Sequence, residues 1–222
     1  MYKRYVKRVL DIVLSVLAAP VFLLVLAVTA PLIYFSDRGP VFFNAQRIGR
    51  DGRLFKMYKF RSMKVGAPDV RLEDGSTYNG EDDPRVTKVG KILRKTSIDE
   101  LPQILNILKG DMSLIGPRPD PPDWLERYPE DMKSFLSVRP GITGYNQAYF
   151  RNASDGQEKM QNDVYYARHC SFGLDIRIFF KTIGTVLMRE NTYKPEESTV
   201  DIKNLAAAGD DREKEKEIAE TH

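Results

Sequence analysis

The chain has 222 residues, 42% of them hydrophobic, which suits one medium-sized domain with its own core rather than two. Its formal net charge is only +3, and no long basic face interleaved with aromatic residues is visible in the sequence, which argues against a nucleic-acid-binding protein. The single cysteine, Cys170, excludes an internal disulfide, and with only two histidines a Cys/His zinc cluster is excluded too, so any metal would have oxygen ligands, as magnesium and manganese do.

An apolar segment close to the N-terminus is long enough to cross a bilayer. Residues 1–8 carry four cations, and from residue 9 to residue 35 the only charged side chain is Asp11. A cleaved signal peptide fits poorly, because Pro31 follows the candidate cleavage site and the apolar core is too long. A buried helix of a soluble protein fits poorly at this length. We therefore expect a membrane anchor.

Two features favour an anchor that enters and leaves the same leaflet. Pro20 lies in the middle of the segment, where it removes a backbone hydrogen bond and kinks a helix. Both flanks are basic, and the positive-inside rule would keep both of them in the cytoplasm. We therefore predict a re-entrant helix–break–helix hairpin with its break at Pro20. A single kinked spanning helix is the alternative, since many spanning helices tolerate proline.

The chain from residue 37 to residue 192 is expected to form a cytosolic domain. Residues 41–45 and 54–60 alternate in the manner of two strands around an Arg-Asp-Gly turn, which predicts a β-hairpin. Lys59 and Arg61 come at the end of this hairpin, on one face.

Residues 64–83 are polar and glycine-rich, which predicts a surface loop. Three helices are predicted in the second half of the chain: 124–137, 157–169 and 174–189. The last has one broad apolar side, which suits either a protein core or the headgroup layer of a membrane. The expected fold class is α+β: a membrane-embedded re-entrant hairpin, then a mainly helical cytosolic domain with a small β-hairpin and interfacial amphipathic helices. The expected units are residues 1–36, 37–192 and a polar, charged tail at 193–222.

The stretch from residue 82 to residue 119 carries most of the chemistry. Ser97 followed by Glu100 has the pattern of a capping box, which predicts a helix that starts directly after Ser97 and ends at Gly110. Glu100 could then be only the capping partner, and Asp99 only a first-turn acid. Alternatively, the helix N-terminus and nearby cations hold Asp99 ionised and attract a phosphate, and an ionised carboxylate is a nucleophile. The two interpretations can both hold.

Three motifs resemble the bacterial sugar transferase family, the monotopic phosphoglycosyl transferases. They are KFRSM at 59–63, DPRVTKVGKILRKTSIDELPQILNILKGDMSLIGPRP at 83–119 and RPGITG at 139–144. The resemblance covers about residues 3–189 and implies a minimal catalytic form. It implies transfer of a sugar-1-phosphate from a UDP-sugar to undecaprenyl phosphate with release of UMP, in the cytoplasmic leaflet of the bacterial inner membrane, and downstream glycosyltransferases as partners.

The resemblance also implies roles for individual residues. The family's catalytic pair falls on Asp99 and Glu100: Asp99 would attack the phosphate that bears the sugar, and the lipid phosphate would resolve the covalent phosphosugar intermediate. Glu100 would position the metal or accept the proton of the lipid phosphate. Phosphoryl transfer requires charge neutralisation, which implies Mg²⁺, with Mn²⁺ as the alternative, held near the pair. The expected phosphate-binding cations are Arg94 and Arg118, followed in rank by Arg85, Lys59, Arg61 and Arg139.

The resemblance supports the re-entrant hairpin as well, since family members have a helix broken near a proline. Pro20 occupies that place, although Ala19 stands where a serine is common in the family. Two other functions stay open: a non-catalytic membrane-anchored scaffold for glycoconjugate assembly, and a hydrolase that cleaves nucleotide sugars without any lipid.

Overall fold

The computed structural model describes most of the chain: residues 1–70, 78, 80, 82–150 and 156–188. The predicted tail at 193–222 lies outside the described residues, as does part of the predicted loop at 64–83. The division into three units stays a prediction.

Within the described residues, helices and short strands alternate along the chain, and the predicted α+β class is confirmed. The helices are α1 (Lys7–Asp37), α2 (Lys88–Lys95), α3 (Gln103–Lys109), α4 (Tyr145–Tyr149), α5 (Gly156–His169) and α6 (Phe172–Met188). The strands are β1 (Phe42–Ile48), β2 (Leu54–Phe60), β3 (Ser113–Ile115) and β4 (Gly141–Thr143). Shorter helical segments are Tyr2–Val6, Arg50–Gly52, Ile98–Glu100, Pro122–Trp124 and Lys133–Ser137.

The predicted β-hairpin is confirmed. β1 and β2 pair antiparallel, with Phe42 opposite Phe60. The turn between them contains two left-handed residues, Asp51 and Gly52, with φ angles of 57° and 75°. The open end of the hairpin packs on α1, because Phe60 is fully buried and stacks on both Phe42 and Phe22. This contact places the end of β2, and with it Lys59, beside α1.

A second pair of strands was not predicted from the sequence. β3 and β4 are parallel, with Ser113 opposite Gly141 and Ile115 opposite Thr143. Each strand has only three residues, too few to show alternation, and the pairing joins segments that lie far apart in the chain. Because the strands are parallel, their carboxyl ends meet at one edge of the pair.

The helix break predicted at Pro20 is not seen. α1 runs continuously from Lys7 to Asp37 and contains both Pro20 and Pro31, so the helix–break–helix form is not confirmed. A proline removes one hydrogen bond of a helix, which can bend the helix without ending it. Among the described residues, the segment Tyr2–Asp37 is the one helix that is long and apolar enough to cross a membrane, with a mean hydropathy of 2.8 in its apolar window.

The two ends of α1 are both attached to the same folded domain. At the N-terminal end, Lys7 Nζ lies 2.6 Å from Asp175 Oδ2 in α6. One turn later, Asp11 Oδ1 accepts a hydrogen bond of 3.0 Å from the backbone N–H of Leu114, in β3. At the other end, Asp37 lies 2.6 Å from Arg61 Nη1, which follows β2. These polar contacts hold both ends of the apolar helix against one surface.

The prediction of one helix at 124–137 is wrong. The structure has two short helical segments there, Pro122–Trp124 and Lys133–Ser137, separated by turns. Pro129 lies between them, where it could not donate a helical hydrogen bond. The other two predicted helices correspond to α5 and α6, within one or two residues at their described ends.

Candidate active site

The Asp-Glu pair lies in the short helical segment Ile98–Glu100, between α2 and α3, rather than in the first turn of α3. Ser97 has a left-handed backbone, with φ of 56°, and its side chain makes no cap hydrogen bond. An N-cap residue needs an extended backbone, so the predicted capping box is wrong, and α3 begins only at Gln103. It ends at Gly110 as predicted, with a left-handed φ of 96°. The carboxylate of Glu100 is therefore free for another role.

Asp99 is buried and paired with a lysine from the hairpin. Its side chain is only 3% exposed, and Lys59 Nζ lies 2.8 Å from Oδ2. Burial raises the pKa of Asp99, the charge of Lys59 opposes that rise, and the neighbouring Glu100 adds to it. The net pKa lies above the ordinary range of an aspartate. Lys59 is thus the main group that favours the ionised form of Asp99.

Glu100 is held by two cations. Arg118 Nη2 donates a hydrogen bond of 2.9 Å to Oε1, and Lys59 Nζ lies 3.8 Å from the same atom. Burial alone would raise the pKa of Glu100, but the charges of Arg118 and Lys59 outweigh it, and the pKa is lowered. The pKa values of the two adjacent carboxyls therefore shift in opposite directions, because Glu100 has two cationic partners, whereas Asp99 is more buried and has one close cationic partner.

Two arginines flank the pair in the sequence: Arg94 precedes it and Arg118 follows it. The Arg118 side chain is 45% exposed, so it can bind Glu100 and still meet a ligand. Arg94 comes from the last turn of α2, and its Nε donates a hydrogen bond of 2.9 Å to Ser62 Oγ. Its charge lowers the pKa of Asp99, though less than Lys59 does. Both arginines predicted as first-rank phosphate ligands are thus near the pair.

Two second-rank candidates are engaged elsewhere. Arg61 is 6% exposed, bonded to Asp37 and to the backbone carbonyl of Pro40, and it fastens the end of α1. Arg85 is equally buried and forms a forked pair with Asp83, with an Nη2 to Oδ2 distance of 2.7 Å. Both guanidinium groups are buried against a carboxylate of the protein itself, whereas that of Arg118 is 45% exposed, so neither is open to a substrate phosphate. Arg61 and Arg85 are structural in this arrangement.

Arg139 lies at the other end of α3 from the pair. Its Nε donates a hydrogen bond of 2.9 Å to the carbonyl of Gly110, which suits a cation at a helix C-terminus. Burial and the nearby charges of Arg50 and Arg8 lower its pKa. The structure therefore does not bring Arg139 together with Asp99 and Glu100.

A buried polar network, missed in the sequence, holds the loop that carries Arg118. Asp120 Oδ2 accepts a hydrogen bond of 2.8 Å from Tyr128 and lies 2.7 Å from Lys159 Nζ. Lys159 also lies 3.3 Å from Asp163, and burial raises the pKa of Asp163 to about 6. Lys159 and Asp163 are four residues apart on α5, a spacing that could have indicated an ion pair but not its partner in the loop.

The donor groups of the pair fit a magnesium ion. Magnesium is commonly bound through one or two carboxylates together with substrate phosphates and water, and Asp99 and Glu100 are two adjacent carboxylates. Among the described residues no three His, Cys, Asp or Glu side chains are grouped so that they could hold a metal ion, so a metal here would need oxygens of the substrate or of water as further ligands.

Comparison with known proteins identifies the family. The profile of the family described as "Bacterial sugar transferase" matches residues 2–189. The chain is 40% identical to an undecaprenyl-phosphate galactose phosphotransferase of Salmonella typhimurium, over 86% of this chain and 42% of that protein. It is 42% identical to a UDP-N-acetylgalactosamine-undecaprenyl-phosphate N-acetylgalactosaminephosphotransferase of Aeromonas hydrophila, over 82% of this chain and 44% of that protein.

The chain thus spans less than half the length of these two relatives. It is also 40% identical to an exopolysaccharide production protein of Rhizobium meliloti, and there the match covers 84% of this chain and 88% of the relative. The family profile covers nearly all of the described residues, including the Asp99–Glu100 turn. The chain belongs to the bacterial sugar transferase family.

Proposed function

We propose that the protein transfers a sugar-1-phosphate from a UDP-sugar to undecaprenyl phosphate, with release of UMP. The observation that carries this proposal is the buried Asp99–Glu100 pair with Lys59 and Arg118 bound to it. Such a site offers a nucleophile and the positive charge that phosphoryl transfer requires. The names of the relatives, which include galactose and N-acetylgalactosamine phosphotransferases, support a donor of the galactose type.

In the first step, an Oδ atom of Asp99 attacks the β-phosphorus of the UDP-sugar. A bond forms between Asp99 and that phosphorus, and the bond to the bridging oxygen breaks, so that UMP leaves with the electron pair. Asp99 must be ionised to attack, and Lys59 favours that form at 2.8 Å. The raised pKa of Asp99 also makes its ionised form a better nucleophile than an ordinary carboxylate.

In the second step, a phosphate oxygen of undecaprenyl phosphate attacks the same phosphorus. The bond to Asp99 breaks, and the products are the free carboxylate and a lipid diphosphate sugar. Arg118, half exposed and anchored on Glu100, stabilises the charge on the phosphoryl oxygens in both steps. Glu100 has a lowered pKa and is ionised at neutral pH, which makes it a weak base, so its part is to hold Arg118 and to help position the metal rather than to take the proton of the lipid phosphate. A magnesium ion held by Asp99, Glu100 and the diphosphate would neutralise further charge.

The attachment of α1 supports a one-leaflet anchor on the cytoplasmic side. A straight helix of this length would measure about 46 Å, which exceeds the hydrocarbon thickness of about 30 Å. Lys7 at one end and Asp37 at the other are nevertheless paired with the same domain, and a helix that crossed the bilayer could not make both contacts. An anchor of this type keeps the active site at the headgroup plane, where the lipid phosphate diffuses.

The reaction is tested by measuring UMP release with detergent-purified protein. The donors are UDP-galactose, UDP-N-acetylgalactosamine and their gluco epimers, each with and without undecaprenyl phosphate and magnesium. UMP that appears only with the lipid would support the transfer. Sugar phosphate or UMP formed equally well without lipid would support the hydrolase instead, and nucleotide binding without turnover would support the scaffold.

The anchor is tested by cysteine labelling in a Cys170→Ser background. Tyr2→Cys and Arg38→Cys mark the two ends of the helix, and both should resist an impermeant thiol reagent added outside intact cells. Each should react after the membrane is permeabilised. Labelling of one position from outside would refute the one-leaflet anchor and establish a spanning helix.

A further inference from the structure

A buried asparagine joins the hairpin to the helix that follows the Asp-Glu pair. Asn106 lies in α3 and is fully buried. Its Oδ1 accepts a hydrogen bond of 2.9 Å from the backbone N–H of Tyr58, and its Nδ2 donates one of 2.7 Å to the backbone carbonyl of Lys56. Nδ2 also donates to Asp111 Oδ2 at 3.3 Å. The carboxamide therefore uses its acceptor and its donors within the protein.

These hydrogen bonds occupy the open edge of β2. Within the described residues the sheet of the hairpin has two strands, so β2 pairs with β1 along one edge only. In an antiparallel strand, the polar backbone groups of residues two positions apart point to the same edge. The carboxamide bonds such a pair, from Lys56 and Tyr58, as a third strand would. A shift of β2 by one residue would turn both groups away from Asn106, so these bonds fix where the strand lies against α3.

The buried packing around this contact is apolar. Met57 of β2 packs with Ile107 of α3 and with Met112 in one buried cluster. Apolar contacts are not directional, and methionine side chains adapt to several arrangements. A buried polar group with all its partners present is directional and favours one arrangement. Asn106 thus supplies buried directional contacts between the strand and the helix.

Both partners of this contact lead to the candidate active site. On the strand side, Tyr58 directly precedes Lys59. On the helix side, Leu101 and Pro102 have right-handed helical backbones, so the segment that carries the Asp-Glu pair continues into α3. The 2.8 Å contact between Lys59 Nζ and Asp99 Oδ2 joins the two sides. Any displacement of β2 along α3 would therefore change the position of Lys59 relative to Asp99.

We propose that Asn106 is a positioning residue that holds Lys59 at the Asp99 carboxylate. Asn106 acts through Lys59, because its own carboxamide is buried and bonded within the protein. Lys59 brings positive charge to the carboxylate that meets the phosphate, and the attraction between charges weakens with distance. This inference rests on the proposed function, in which Asp99 attacks the donor.

A double-mutant cycle on activity tests the proposal. Asn106→Leu keeps the approximate volume of the side chain and removes its hydrogen bonds. In the wild-type background it should lower kcat/KM for UMP release about 10- to 100-fold, as expected for a displaced group in an active site. In the Lys59→Met background the same substitution should change kcat/KM less than about 2-fold, because no cation is left to position. An equal fold-loss in both backgrounds, or no loss in the wild-type background, would overturn the proposal.

A second asparagine controls for a general loss of packing. Asn106→Leu leaves two backbone groups of β2 without their partner, so it should lower the melting temperature as well. Asn146 is a buried asparagine of α4 whose Oδ1 accepts a hydrogen bond of 2.9 Å from Asn162, in α5. Asn146→Leu should change kcat/KM by the same factor with Lys59 present or absent. A dependence on Lys59 as large as that of Asn106→Leu would mean a general effect of buried asparagines and would overturn the proposal.

If Asn106→Leu does not fold, Asn106→Asp takes its place in the same cycle. It keeps the acceptor for Tyr58 and loses the donor to Lys56, so its loss of activity should again disappear in the Lys59→Met background.

Stability without substrate gives a readout that does not depend on turnover. Lys59→Met should change the melting temperature less in the Asn106 variant than in the wild type, because the ion pair with Asp99 is already weakened there. Equal changes would overturn the proposal. Failure of the proposed function would be recognised separately, because the wild type would then release no UMP from any donor while this cycle on stability could still be measured.

Discussion

The pairing of Lys59 with Asp99 gives the sharpest test of the active site. Lys59→Met removes the cation that lies 2.8 Å from the Asp99 carboxylate and keeps the length of the side chain. At an effective dielectric constant of 20, that attraction amounts to about 6 kcal/mol. This is an upper limit, because the Lys59 side chain is 21% exposed and solvent screens part of the charge.

Loss of Lys59 should act on activity through the charge of Asp99. The pKa of Asp99 is already raised by burial, and Lys59 is the largest influence that lowers it, so the pKa in the variant rises further. Because only the ionised form attacks, the acidic limb of the pH–rate profile should move to higher pH. At pH 7.5 we expect kcat/KM to fall about 10²- to 10³-fold, the effect typical of removing one stabilising group from such a site.

The assay is UMP release from the preferred UDP-sugar, measured from pH 5.5 to pH 9.5 in a lipid-detergent mixture. Lys59→Arg keeps the charge and should retain more activity than Lys59→Met, with a smaller displacement of the profile. Lys56→Met removes an exposed lysine of the same hairpin and should match the wild type. If Lys59→Met had the wild-type pH profile and rate, Lys59 would have no part in controlling Asp99.

Four further outcomes are expected. Asp99→Asn should abolish turnover and the covalent intermediate, whereas Glu100→Gln should slow turnover but still accumulate some intermediate, as measured by mass spectrometry of the intact protein. Chelation by EDTA should stop UMP release and magnesium should restore it; full activity in the chelator would contradict a metal requirement. The Asp163 carboxyl binds its proton more tightly in the folded state than in the unfolded state. The free energy of unfolding of the wild type, relative to that of Asp163→Asn, should therefore fall by up to about 3 kcal/mol as the pH rises through about 6. An opposite slope would contradict the burial of this carboxyl. Thr87→Ala should lower the free energy of unfolding by about 1 kcal/mol, since Thr87 caps α2 through the N–H of Gly90, whereas Ser97→Ala, with no cap to lose, should change it little.

The sequence alone was sufficient for features that depend on neighbouring residues. Alternation predicted the β-hairpin, periodicity predicted α5 and α6, and Gly110 ends α3 as expected. The motifs around Asp99 were enough to recognise the family. These features are local because a strand alternates, and a helix repeats, over a few residues.

Contacts between distant segments were decided only by the tertiary structure. Arg61 and Arg85 looked equivalent to Lys59 in the sequence, yet each arginine has an acidic partner of its own, and only Lys59 points at the pair. Lys59, in the hairpin, contacts Asp99, which lies some 40 residues later in the chain. No local sequence pattern predicts a contact between residues so far apart.

Tertiary contacts also explain two other differences between the prediction and the structure, at Ser97 and at the pairing of β3 with β4. Ser97 completes the end of α2 in a left-handed conformation, which removes it as the cap that its sequence pattern predicted. The parallel pairing of β3 and β4 brings Gly116 and Gly144 together. The sequence determines which charged side chains are present. Which of them form ion pairs depends on how the helices and strands pack, because an ion pair joins residues that are close in space rather than close along the chain.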